Sequence, residues 1–121
     1  MTALDTSALD RFLAADPTGP VVMLNLIKFA PGGEAKYMEY IERFSTSGVD
    51  ERYGVKIIYG GAGHQSLVAA QDGDWDMVAL VSYPSRQSFV DMVHDPDYVS
   101  FEHLRSEAVA TVVLQPTTAV L

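Results

Sequence analysis

Nine consecutive residues, Val21-Val-Met-Leu-Asn-Leu-Ile-Lys-Phe29, are apolar on both sides at period two, apart from Asn25 and Lys28. Side chains alternate across a strand, so a segment of this kind has to be covered on both faces. Val22, Leu24 and Leu26 share one face; Met23, Asn25 and Ile27 share the other. At about 3.3 Å per residue the stretch runs roughly 30 Å, longer than most strands. The rest of the chain must supply both covers within 121 residues, which is room for one domain with a real core.

Composition narrows what such a domain can do. The net charge is −8, and the eight Lys and Arg residues are scattered. Nucleic-acid binders instead gather basic residues on one face. There is no cysteine, which rules out disulfides, thiolate zinc sites and a cysteine nucleophile and suits a reducing cytoplasm. Asp5 and Asp10 and the lack of a basic region before an apolar run argue against a signal peptide. No apolar run is long enough for a membrane-spanning helix. A cytoplasmic location is therefore expected.

Leu9, Phe12 and Leu13 are spaced as one face of a short helix with Thr6 or Ser7 as N-cap, and Asp16-Pro-Thr-Gly-Pro20 ends it. Residues 1–19 thus read as a helical extension and 20–121 as the domain. After the first strand, Tyr37, Tyr40, Ile41 and Phe44 mark a helical face within 34–53, where Gly48 either ends the regular helix or is spanned by it. Residues 55–59 and 66–70 have strand composition and form either a hairpin or one bent strand. The glycines of Gly60-Gly-Ala-Gly63 mark a bulge or a close approach to the backbone. A strand over 75–84 follows, then a helix capped by Ser85, a break at His94-Asp-Pro-Asp97, a helix over 98–108 and a last strand from 109 to 115.

This order, a leading helix then βαββαβ, predicts a ferredoxin-like α+β sandwich with an antiparallel sheet and both helical layers on one face. The other face is left bare, and Met23 and Ile27 are expected on it. Monomers rarely expose an apolar face of this size. At about 25 cal/mol per Å² its burial is worth many kcal/mol, so a homodimer packed through the sheet face is expected.

Taken together, the segment Val21 to Phe29 quoted above, Tyr37-Met-Glu-Tyr40, Gly60-Gly61, Tyr83-Pro-Ser85 and Asp95-Pro-Asp-Tyr98 with Arg105 resemble the domain of unknown function 1330 family over roughly residues 20–116. The resemblance implies the dimeric α+β barrel superfamily, in which two ferredoxin-like protomers pair their sheets. Its branches include cofactor-free monooxygenases, lactone isomerases, haem peroxidases and small-molecule sensing domains. The family itself carries no general assigned activity, so function has to come from individual residues.

His64, after the glycine-rich bend, is the candidate catalytic acid or base, because imidazole titrates near neutrality. The competing reading is a surface loop histidine. His94, at a helix end, suits capping, and His103 beside Glu102 and Arg105 suits a solvated position. The spacing of the three histidines matches no metal motif, and neither a nucleotide-binding pattern nor another cofactor signature is present, so no cofactor is expected. Asn25, an amide inside an apolar strand, either orients a ligand or satisfies its hydrogen bonds structurally, in a pocket or at the dimer seam. Tyr59 and Tyr98 are candidate substrate-binding phenols among Tyr37, Tyr40, Tyr83 and Trp75. Arg105 is a candidate carboxylate binder, against a plain ion pair with Glu102 or an aspartate of the 94–97 turn.

The expected function is small-molecule binding, with cofactor-independent proton transfer on a small oxygenated organic substrate as its catalytic form. A non-catalytic binding or sensing module and a structural dimer without a ligand are the alternatives. They separate on whether His64, Asn25 and Arg105 point into one concave space.

Overall fold

A computed structural model describes residues 4–68 and 73–121. The elements run α1 (Thr6–Ala15), β1 (Val21–Phe29), α2 (Gly33–Thr46), α3 (Val49–Tyr53), β2 (Lys56–Ala62), β3 (Met77–Tyr83), α4 (Arg86–His94), α5 (Pro96–Phe101), α6 (His103–Ala108) and β4 (Val109–Thr117). The sheet order is β2-β3-β1-β4, with every neighbouring pair antiparallel. Each pair of parallel strands, β1 with β2 and β3 with β4, is thus separated by one strand, the split arrangement of a ferredoxin-like α+β fold.

The helices form where side-chain pattern and capping agree. Tyr37, Tyr40, Ile41 and Phe44 give α2 its inward stripe. The helix stops before Gly48, which adopts φ +78°, a conformation glycine reaches without a Cβ penalty. Ser85 caps α4 by accepting from the Ser88 amide at 3.0 Å, and Asp95 caps α5 ahead of Pro96. In α1 the cap is Asp5, accepting from Ala8 N at 3.1 Å, rather than Thr6 or Ser7. The expected helix over 98–108 is two short helices, α5 and α6.

Val21, Met23 and Ile27 are 2, 2 and 0% exposed in the core beneath the helices. This corrects the expectation that Met23 and Ile27 lie on the bare face. Val22, Leu24 and Leu26 lie there instead, beside Val78, Leu80 and Val113 of the paired strands, and none of these six belongs to the core cluster. A strand apolar on both sides does not show which side the helices will take. The handedness of the crossover connections decides it.

Ser66, Leu67 and Val68 are in no strand, while Ala69 and Ala70 lie outside the described residues. The irregularity expected at the glycines sits earlier, as a register shift between Ile57 and Tyr59. Close approach holds at Gly61, where an added Cβ would lie 2.3 Å from the Tyr59 phenol oxygen.

Candidate functional site

Between the helices and the sheet lies a cavity of about 610 Å³. Its floor is the inward face of the sheet, where Met77, Ala79 and Val81 of β3 and Val112 and Leu114 of β4 surround Asn25 of β1. Its roof carries Tyr37 and Tyr40 from α2, Tyr98 from α5 and Arg105 from α6. A smaller chamber of about 230 Å³ lies under α1 and shares Leu4, Phe89, Arg105, Val112 and Leu114 with the larger one. Phe12 of α1 packs edge-on against Phe89, with ring centroids 5.9 Å apart, and Arg86 Nη1 donates to the Phe12 carbonyl at 3.0 Å.

Polar groups meet at the roof. The Tyr40 and Tyr98 phenol oxygens are 2.9 Å apart, and Arg105 Nη2 donates to Glu102 Oε1 at 2.8 Å. Burial pushes the Tyr37 phenol up to about 12, with the charge of Arg105 acting the other way. Burial likewise raises Tyr40 and Tyr83. For Tyr98 burial again dominates, opposed by its hydrogen bond with Tyr40 and by the charge of Arg105. At neutral pH these phenols are therefore protonated and able to donate. On the floor, Asn25 Nδ2 donates to the Met23 carbonyl at 3.2 Å, and its Oδ1 makes no hydrogen bond to another described residue.

Asn25, Tyr98 and Arg105 all line this cavity. Asn25 is thus on the helix side of the sheet, away from the face left open. Tyr59 and His64 do not line it. Tyr59 pairs with Leu80, a residue of the open face, and is 56% exposed. His64 follows the end of β2 and is exposed. The convergence of His64 with Asn25 and Arg105 that proton transfer by this histidine would need is not what the structure shows. His94 places Nδ1 2.8 Å from the Val90 carbonyl at the end of α4, in keeping with capping. Lys28 sits over the Trp75 ring, 5.1 Å from its centroid.

The share of α1 in the chamber walls was not anticipated, although its Leu9–Phe12–Leu13 spacing signalled an inward face. No group of three or more His, Asp or Glu among the described residues is placed to hold a metal. Nor is any helix among them long and apolar enough to cross a membrane.

Fold and cavity together define an α+β protein with a ferredoxin-like fold, the fold of dimeric α+β barrel proteins. Its similarity to the RPA0582 protein of Rhodopseudomonas palustris, a protein of unknown function, is 30% identity over 99% of this chain and 97% of that one, with a TM-score of 0.86. The chain belongs to the family of that protein. Fold alone relates it to the hydroxynitrile lyase of Passiflora edulis, at 10% identity over 84% of this chain and 94% of that one, TM-score 0.61. The same holds for a dimeric ferredoxin-like protein of unknown function from Thermobifida fusca, at 15% identity over 83% and 91%, TM-score 0.57. No protein-family model and no curated protein matches the chain.

Proposed function

We propose that this protein is a homodimeric member of the domain of unknown function 1330 family that binds one small, largely apolar organic molecule in the cavity of each protomer. The observation that carries the reading is the convergence of Asn25, Tyr98 and Arg105, from three elements, on one cavity of about 610 Å³. Pockets of several hundred Å³ with apolar walls and few placed polar groups are the usual seats of small ligands. The roof groups are donors, so the ligand carries an oxygen acceptor. Pairing through the open face around Leu24 and Leu80 gives the sheet its second cover.

Binding without proton transfer fits the site better than catalysis. A general base has to reach the proton it takes, and the phenols over the cavity are held protonated by burial. His64 has no role in this reading.

Titration of wild type and Asn25→Leu with a panel of small apolar alcohols, ketones, esters and acids tests it. Asn25 makes one side-chain hydrogen bond, to the Met23 carbonyl, on an otherwise apolar floor, so its loss and the gain in apolar contact offset and the variant is expected to lie within about 1 kcal/mol of wild-type stability. Its affinity for panel members should drop by about fivefold or more. A panel in which nothing binds, or in which both proteins bind equally, overturns the proposal.

A further inference from the structure

Tyr37 and Tyr40 of α2, Tyr83 at the end of β3 and Tyr98 of α5 all line the larger chamber. Their hydroxyls stand near enough for charge on one to act on another: Tyr98 and Tyr37 oppose ionisation of Tyr83, and Tyr98, Tyr83 and Tyr37 oppose that of Tyr40. One hydroxyl hydrogen is used between Tyr40 and Tyr98. The Tyr37 and Tyr83 hydroxyls bond to no described residue, although these residues are only 5 and 6% exposed. A hydroxyl sealed from solvent without a partner is costly. The one sealed and unpartnered side-chain polar atom among the described residues is Arg86 Nε. Both phenol oxygens therefore open onto the chamber, with their hydrogens unused.

The other polar groups at this end are committed. Arg105 pairs with Glu102 at 2.8 Å and also bonds to the Tyr98 side chain, so its charge is already compensated. A free anion would have to enter a chain of net charge −8 with no further cation among the described residues lining the chamber. A cation would lie against hydroxyl hydrogens and Arg105. An alcohol oxygen accepts hydrogen bonds, but it brings one more hydrogen to a cluster that already has too many. A carbonyl oxygen offers lone pairs and no hydrogen.

We propose that the ligand is a neutral carbonyl compound, held at this cluster by the hydroxyl hydrogens of Tyr37 and Tyr83, with its hydrocarbon body in the larger chamber against Met77, Val81 and Met92. This rests on the cavity-binding reading above and narrows it to one chemical class.

The test is calorimetric titration of the full chain with matched ketone and alcohol pairs, 4-phenyl-2-butanone with 4-phenyl-2-butanol and 2-heptanone with 2-heptanol. The ketone of at least one pair is expected to bind about threefold or more tighter than its alcohol. Tyr37→Phe or Tyr83→Phe should weaken that ketone by about fivefold, the loss of one hydrogen bond, and the double variant should abolish the preference. Each substitution keeps the ring and strands no bonded partner, so the single variants are expected to fold as wild type does. Should the double variant fail to fold, the single variants decide together with the infrared carbonyl stretch of the bound ketone, labelled with carbon-13. That stretch should lie below its position in hexane and move back towards it in the variant that binds more weakly. A stretch at the hexane position, equal or tighter binding of the alcohols, or ketone affinity unchanged in both single variants overturns the carbonyl assignment and leaves ligand binding standing. If neither ketones nor alcohols bind, the assignment falls, and binding of an acid or ester of the earlier panel shows whether the broader reading falls with it.

Discussion

The phenol oxygens of Tyr40 and Tyr98 lie 2.9 Å apart, in a hydrogen bond that joins α2 to α5 over the cavity. Both rings also pack with Phe44 and Phe101, so the bond sits inside an aromatic cluster. Tyr40→Phe keeps the ring and removes the bond, and is expected to cost about 1 kcal/mol in chemical denaturation. Because the two hydroxyls act on each other, the double variant Tyr40→Phe with Tyr98→Phe should lose less than the sum of the single losses.

The same burial sets the alkaline limit of stability. Tyr37, Tyr40, Tyr83 and Tyr98 are all raised above the ordinary 10.0, chiefly by burial. A group whose folded value is raised stabilises the fold fully below its unfolded value and loses that contribution as pH climbs towards the folded one. Stability should therefore fall from about pH 10 upwards. Tyrosinate absorbance from these four residues should rise together with the loss of near-ultraviolet dichroism; titration of all four in a chain that is still folded would contradict it.

At the acid end the determinant is Asp95. It accepts from the Tyr53 hydroxyl at 2.5 Å and from Arg52 at 2.8 Å, and it caps α5 through Asp97 N. These hydrogen bonds, Tyr53 first and Arg52 next, hold its carboxyl down at about 2. The sign is opposite to that of the tyrosines. The stabilisation is complete above the unfolded value of 3.8 and is lost as pH falls towards 2. Asp95→Asn should melt lower than wild type at pH 7, and the gap should close between pH 4 and 2. A gap that stays constant across that window contradicts the assignment.

The open sheet face is testable by mass. Sedimentation equilibrium should give a species of twice the 13.2 kDa of one chain. Leu24→Lys with Leu80→Lys removes two apolar side chains per protomer from the proposed contact, each worth about 1.5–3 kcal/mol when buried. The double variant should sediment as a folded monomer. A wild-type monomer at micromolar concentration, or an unchanged dimer in the variant, counts against pairing through this face.

Much of the fold could be read from local pattern. The two-sided apolar run of β1, the Tyr37–Tyr40–Phe44 stripe, the Ser85 cap and the Asp95-Pro96 break each reflect interactions within a few residues, and each lies where the pattern puts it. The site was only partly legible. Asn25, Tyr98 and Arg105 were recognisable by residue type, yet no local signal shows that residues 80 positions apart share a cavity. Tyr59 shows the reason most clearly. Ile57 lines the cavity, and strict alternation would put Tyr59 beside it. The register shift between them turns Tyr59 to the opposite face, because a one-residue slip exchanges the two sides of a strand.

The sequence by itself determined that β1 needs two covers, that helices would supply one of them, and that an amide would interrupt an otherwise apolar strand. Those properties follow from side-chain chemistry and a period of two. Only the tertiary structure decided which face the helices take, and with it that Asn25 belongs to the cavity instead of the open face. That choice comes from crossover handedness and strand register, which couple segments far apart in the chain and leave no mark on either segment alone.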